Sequence, residues 1–161
     1  MIQAVIRPLA SEDWNIATAL VWRVFLRHNA PDYDQEGIGS FLNFISDEHL
    51  RLFCQLDEFR MYGAYLGEHL IGVCLMRCGG HVSLLFVETS YHKQRIGSEL
   101  LAYATEEAKK RGMEKLTVNA APAAVGFYEK KGFVATGEEQ IKDGVRFLPM
   151  VSKLLCKQAD I

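Results

Sequence analysis

Two periods of apolar residues divide the chain. In "SEDWNIATALVWRVFLRH", residues 11–28, Trp14, Ala17, Leu20, Val21, Val24 and Phe25 recur at helical spacing. That spacing lines one face of an α-helix, and Ser11 with two acids behind it reads as the N-cap. "APDYDQEG" is rich in turn residues. From Ile38 to Leu56 the helical spacing returns at Phe41, Phe44 and Ile45, predicting a second helix or a pair of helices.

Beyond this point the period shortens. "RMYGAYL" and "HLIGVCLMR" flank Gly67-Glu68, the signal of a two-residue hairpin. "HVSLLFVE" follows as a strand whose "LLFV" is apolar on both faces, as in a strand inside a covered sheet. Helical spacing resumes over 97–111, with Leu100, Leu101, Ala104 and Ala108 on one side and Glu106, Glu107, Lys109 and Lys110 largely outward. Gly112 suits its C-terminal cap. "KLTVNA" reads as a short strand, and "PAAVGFYEKKG" as a short helix between Pro122 and Gly132. "FVATGEEQI" and "VRFLPMVSKLL" make a final hairpin that turns at Asp143-Gly144, and "IQAVIRP" supplies a first strand ended by Pro8. Helices beside a mixed sheet, with a strand–helix–strand–helix passage, predict an α/β or α+β sandwich.

Composition narrows the function classes. The chain has 161 residues, 49% of them hydrophobic and 24% charged, which fits one globular domain over 1–161. A net charge of −2 argues against nucleic acid as the main partner. The charge is uneven: residues 1–60 hold five Lys/Arg and nine Asp/Glu, residues 61–161 thirteen and eleven. The acidic half would favour a cationic substrate. Cys74 and Cys78 are four residues apart on a strand, roughly 13 Å, too far for a disulfide. With Cys54 and Cys156 they form no C-x-x-C pair, which argues against a zinc site, and no His spacing suits a metal. No signal-peptide pattern and no membrane-spanning apolar run are visible. The expectation is a reduced, cytoplasmic protein without a membrane partner or metal.

One stretch does not fit a purely structural account. "YHKQRIGSELL", residues 91–101, places His92, Lys93 and Arg95 directly before a helix N-terminus. The dipole there is already positive and the first N–H groups lack partners. Cations at that end cost stability unless an anion joins them, so the stretch looks built to receive phosphate. It is not a P-loop, which needs G-x-x-x-x-G-K-S/T, nor the G-x-G-x-x-G of a dinucleotide fold.

The chain resembles the GNAT superfamily of acyl-CoA-dependent N-acyltransferases over essentially its whole length. The family's central motif is Gln or Arg, two residues, Gly, one residue, then Gly or Ala, set four residues after a strand ending in Val. Here "LLFVETSYHKQRIGSELL" puts His92 in the Gln/Arg place, Arg95 in the first Gly place and Gly97 in the last. Two of the three positions are substituted. "FYEKKGF", residues 127–133, closely matches a second family segment. The resemblance implies a mixed central sheet of about seven strands flanked by about four helices.

It also implies roles. The turn residues Lys93, Gln94, Arg95, Ile96, Gly97 and Ser98 would hold the pyrophosphate of coenzyme A, with Arg95 swung outward to a phosphate oxygen. The backbone of Leu85, Phe86 and Val87 would bind the pantetheine arm as a further strand. Tyr128 stands at the place of the family's frequent general acid, where a phenol protonates the departing thiolate. The Asn that many members carry seven residues earlier is Ala121 here, and nearby Asn119 is the candidate substitute. The general base is not legible: Thr117 stands where some members have Glu, and Glu88 and His81 read more readily as turn residues.

The resemblance implies transfer of acetyl from acetyl-CoA, as co-substrate, to a primary amine by direct attack in a ternary complex. The acceptor would be a small-molecule or peptide amine, and a homodimer stays open. The altered glycine, Ala121 and the missing base keep an alternative in view: a non-catalytic acyl-CoA-binding sensor or regulatory module. A structural domain with a vestigial site is the third reading.

Overall fold

The computed structural model describes residues 3–154 and contains eight strands and five α-helices. In chain order they are β1 (Val5–Pro8), α1 (Trp14–His28), α2 (Gln35–Ser46), α3 (Glu48–Gln55), β2 (Phe59–Leu66), β3 (His69–Arg77), β4 (His81–Val87), α4 (Ile96–Lys110), β5 (Lys115–Ala120), α5 (Val125–Lys130), β6 (Val134–Ala135), β7 (Gln140–Lys142) and β8 (Val145–Lys153). The sheet runs β1-β2-β3-β4-β5-β8-β6, with β7 paired to β8. Every pairing is antiparallel except β4 with β5. The mixed sheet with helices on both faces is the expected fold class.

Each face of the sheet carries its own core. On one, Leu100, Leu101, Ala104 and Ala108 of α4 pack on Tyr62, Ala64, Ile71, Cys74 and Met76, joined by Val118, Ala120 and Tyr128. On the other, Ala17, Leu20, Val21 and Val24 of α1, with Ile45 and Leu50, pack on Tyr65, Leu70, Val73, Leu75 and Leu84. From Val73 to Met76 alternation along β3 decides the assignment, because successive side chains point to opposite faces. A bulge in the β2–β3 ladder at Leu70–Gly72 shifts the alternation, so that Leu70 joins Val73 and Ile71 joins Cys74. A fully buried Leu such as Leu100 contributes about 1.5–3 kcal/mol. Replacing it with Ala would leave a void under β3.

Two expectations need correction, and one open alternative is resolved. The α1 helix begins at Trp14, after a 3-10 turn over Ser11–Asp13, and Ser11 does not cap it. Asp13 occupies the N-cap position, but its carboxylate accepts from the Tyr65 hydroxyl (2.8 Å) rather than from helix amides. Of the two possibilities between Ile38 and Leu56, the structure has the pair of helices, which brings the number to five. The run from Ile38 to Leu56 is cut at Asp47, whose side chain accepts from the His49 amide (2.8 Å) and starts α3. The strand expected over "FVATGEEQI" survives only as β6 and β7, since Gly137, Glu138 and Glu139 between them are poor strand formers. Cys156 lies outside the described residues, and the three described cysteines are free thiols.

Candidate functional site

The parallel pair β4–β5 is joined only at its beginning. His81 pairs with Thr117 and Val82 with Val118. The Thr117 amide donates to the Gly80 carbonyl (2.9 Å), and His81 Nδ1 lies 2.8 Å from Thr117 Oγ1. Beyond that point β4 continues along β3 to Val87, and β5 along β8 to Ala120, with no pairing between them. The sheet therefore opens into a wedge.

The register shows which backbone groups line the wedge. The Glu88 amide donates to the Ile71 carbonyl (2.8 Å), so this residue turns its polar groups toward β3. In an antiparallel ladder that orientation alternates. Phe86 and Leu84 hence face β3, while Leu85 and Val87 present N–H and C=O to the opening. One of these groups is already engaged: His92 Nε2 donates to the Val87 carbonyl (2.7 Å). An extended chain bearing amides could pair with this edge as an added strand.

The chain leaves β4 through a 3-10 turn over Thr89–Tyr91 and enters α4 at Ile96. Lys93 has φ 63° and Arg95 φ 66°, both left-handed. A non-glycine residue there costs about 1 kcal/mol. Such alternation turns successive N–H groups into one concavity that suits an anion. The first α4 bond from this turn runs from the Glu99 amide to the Arg95 carbonyl (2.9 Å), and no side chain caps the helix. The amides of residues 93–98 thus have no partner among the described residues. Arg95 holds a left-handed conformation that glycine adopts without strain, and its exposed side chain leaves the turn open. A Cβ added at Gly97 would meet Val87 Cγ2 and the Phe127 ring at 3.8 Å, an ordinary contact. Space for Gly or Ala is therefore built into this place.

Tyr128 comes from α5, beyond the end of β5. Its ring is 5% exposed and packs edge-on against Phe127 (5.1 Å) and Phe133 (5.3 Å). Burial pushes its phenol well above the usual range, and buried Cys74 adds to the effect. The hydroxyl has no hydrogen-bond partner among the described residues. It is free to donate a proton or a hydrogen bond, and it stays protonated at neutral pH.

Other candidates are placed elsewhere. Asn119 is exposed, and strand alternation puts it opposite Val118 and Ala120, on the sheet face away from α4 and the turn. Glu88 is held by Arg23, through Nε at 3.0 Å and through Nη2. His81 sits at the joined end, roughly 20 Å of strand from Val87. The contact between the rings of His28 and His92 (4.7 Å) was not legible in the sequence. Their positions differ by more than sixty residues, and only the return of α1 to the end of β4 joins them. Burial, His92 and Arg27 all lower the pKa of His28. A cavity of about 280 Å³ lies away from the wedge, between Trp14, Arg51, Cys54 and the start of β2.

Comparison with known proteins identifies the family and the fold. Residues 29–154 match the acetyltransferase (GNAT) domain family. Over 75 residues, 45% of this chain, it is 33% identical to glucosamine 6-phosphate N-acetyltransferase 1 of Oryza sativa subsp. japonica, and the match spans 44% of that protein. Among solved structures, a GCN5-related N-acetyltransferase from Rhodopseudomonas palustris superposes with TM-score 0.81 at 24% identity, covering 96% of this chain and 98% of that one. The paiA N-acetyltransferase of Thermoplasma acidophilum, in complex with coenzyme A, superposes with TM-score 0.78 at 24% identity, over 95% and 100% of the two chains.

Proposed function

The chain belongs to the GNAT acetyltransferase family, and we propose that it moves an acetyl group from acetyl-CoA to a primary amine by direct attack in a ternary complex. The observation that carries this reading is the wedge between β4 and β5, bordered by the unpaired amides of 93–98. Pyrophosphate would take those amides, with Lys93 and Arg95 adding charge. The pantetheine arm would lie along Leu85 and Val87. That brings the thioester toward Tyr128.

The amine nitrogen, once deprotonated, attacks the thioester carbonyl carbon. A C–N bond forms and the C–S bond breaks. The departing sulfur takes a proton from the Tyr128 hydroxyl, which solvent restores, and the proton lost by the amine goes to solvent. Metal ions have no part in this scheme. We place this reaction in one domain over 1–161 and in the cytoplasm, which accords with the free thiols of the described cysteines.

The alternative, a non-catalytic acyl-CoA-binding module, drew support from Arg95 in a glycine place. That support weakens, because Arg95 holds the left-handed conformation with its side chain exposed. Thiol release from acetyl-CoA, followed with and without a panel of amines, separates the two. Amine-dependent release supports the enzyme; tight binding without release for any amine supports the sensor.

A further inference from the structure

The acceptor side of the wedge has a composition of its own. The anion turn and α4 lie on one face of the sheet, so acyl-CoA reaches the wedge from that face. An amine must then approach from the other. On that face Phe86 of β4 stands 5.8 Å from Phe41 of α2. Phe41 stacks at 3.9 Å on buried Phe25, which meets the edge of Tyr33 at 5.1 Å. Phe147 of β8 alternates with Leu148 and Met150, which pack toward α4, so its ring points to the α1–α2 side. Tyr33 and Phe147 are half-buried, yet neither belongs to the two hydrophobic cores.

The β7–β8 turn holds this arrangement together. A Cβ added at Gly37, in the first turn of α2, would run into the Gly144 carbonyl. The Asp34 side chain accepts from the Gly37 amide (2.8 Å) at the same place. The hairpin tip is thereby seated on α2, and Phe147 follows three residues later on the strand.

Charge points the same way. Residues 29–50 carry Asp32, Asp34, Glu36, Asp47 and Glu48, and no Lys or Arg. Arg23 and Arg146 are paired with Glu88 and Glu139. An ammonium group is attracted to such a rim and a phosphate-bearing amine is repelled.

We propose that the acceptor is an arylalkylamine, its ring held among Phe41, Phe86, Phe147 and Tyr33 and its primary amine directed into the wedge. This inference rests on the acetyl-transfer reading. Flat rings pack edge-on or offset against such a set, and the acidic rim gathers the cation.

Thiol release from acetyl-CoA tests it with phenethylamine and tryptamine against spermidine, glucosamine 6-phosphate and lysine amide. The arylalkylamines should show kcat/KM at least about tenfold above the others, a difference that aromatic packing is large enough to supply. Phe147→Ala should raise KM for phenethylamine by a similar factor while the Kd for acetyl-CoA and the Tm stay unchanged, and Phe147→Leu should fall between. Preference for spermidine or glucosamine 6-phosphate overturns the aromatic acceptor and leaves acetyl transfer standing. So does an unchanged KM for phenethylamine in Phe147→Ala. Binding of acetyl-CoA without release by any of the five amines overturns the aromatic acceptor as well. Failure to bind acetyl-CoA overturns both readings.

Discussion

The two ends of the β4–β5 pair are built from the same two strands and do opposite things. At the joined end, backbone and side chain are both satisfied: Thr117 bonds Gly80 through its amide and His81 through its hydroxyl. At the open end, Leu85 and Val87 face no strand, and the six amides that follow at 93–98 have no partner among the described residues. Buried polar groups normally pair, and leaving one unpaired costs about 1–3 kcal/mol. The open end avoids that cost by staying in contact with water, and the joined end keeps the wedge from spreading. Stability and ligand binding are thus separated along one pair of strands. Substitutions at the open end should change ligand behaviour and spare the fold, and those at the joined end should do the reverse.

The largest effect is expected at Tyr128. Tyr128→Phe should lower kcat by about 10²–10⁴-fold, the usual contribution of a general acid, with little change in acetyl-CoA affinity. Steady-state kinetics beside calorimetry check it, and full turnover by the variant removes the phenol from the mechanism. Because burial raises its pKa, wild-type turnover should not fall through titration of Tyr128 between neutral and mildly alkaline pH.

Gly97→Asp comes next. The added side chain has room beside Phe127 and Val87, so the protein should fold. A carboxylate against the pyrophosphate should cost several kcal/mol, or about 10²–10³-fold in affinity. Unchanged calorimetric affinity in the folded variant would place the anion elsewhere.

Arg95→Gly sharpens the comparison, since it separates charge from conformation. An exposed charge-assisted bond to phosphate contributes at most about 1.5–3 kcal/mol, so the variant should bind CoA roughly tenfold more weakly at low salt. The loss should shrink as salt rises. Tighter binding by the glycine variant would make Arg95 a steric block.

The smallest effect belongs to the joined end. Burial, and then Arg77, hold the His81 pKa below the ordinary value of 6.5. The unfolded chain then binds a proton more readily than the folded one, so stability falls as pH drops from 6.5 toward the folded pKa. His81→Asn should flatten that part of the Tm–pH curve and leave CoA affinity unchanged. A curve as steep as the wild type's would assign the pH dependence to another group.

What could be read in the sequence follows a physical division. The α4 face, with Leu100, Leu101, Ala104 and Ala108, was legible because burial on one side imposes a helical period. "KLTVNA" coincides with β5, and the Asp143-Gly144 turn was marked by residues suited to the positive φ they adopt. A pair of helices over Ile38–Leu56 was one of two readings, but its break at Asp47 was not legible, because the apolar spacing continues across it and only the cap reveals the place. The wedge was legible only through family resemblance, since strand pairing that stops halfway leaves no mark in either strand. The left-handed φ of Arg95 was equally hidden, because an Arg does not announce it as a Gly would. Asn119 illustrates the remaining limit. Closeness in sequence to Ala121 said nothing about the side of β5 it would occupy.

Hydrogen exchange with and without CoA tests the central claim most directly, because it reads both ends of the pair in one experiment. Binding should slow exchange of the amides of Lys93–Ser98, together with Leu85 and Val87, and leave Val82 and Thr117 unchanged. Protection spread evenly over the protein, or found at the joined end with none at 93–98, would contradict the assignment of the open wedge as the acyl-CoA site.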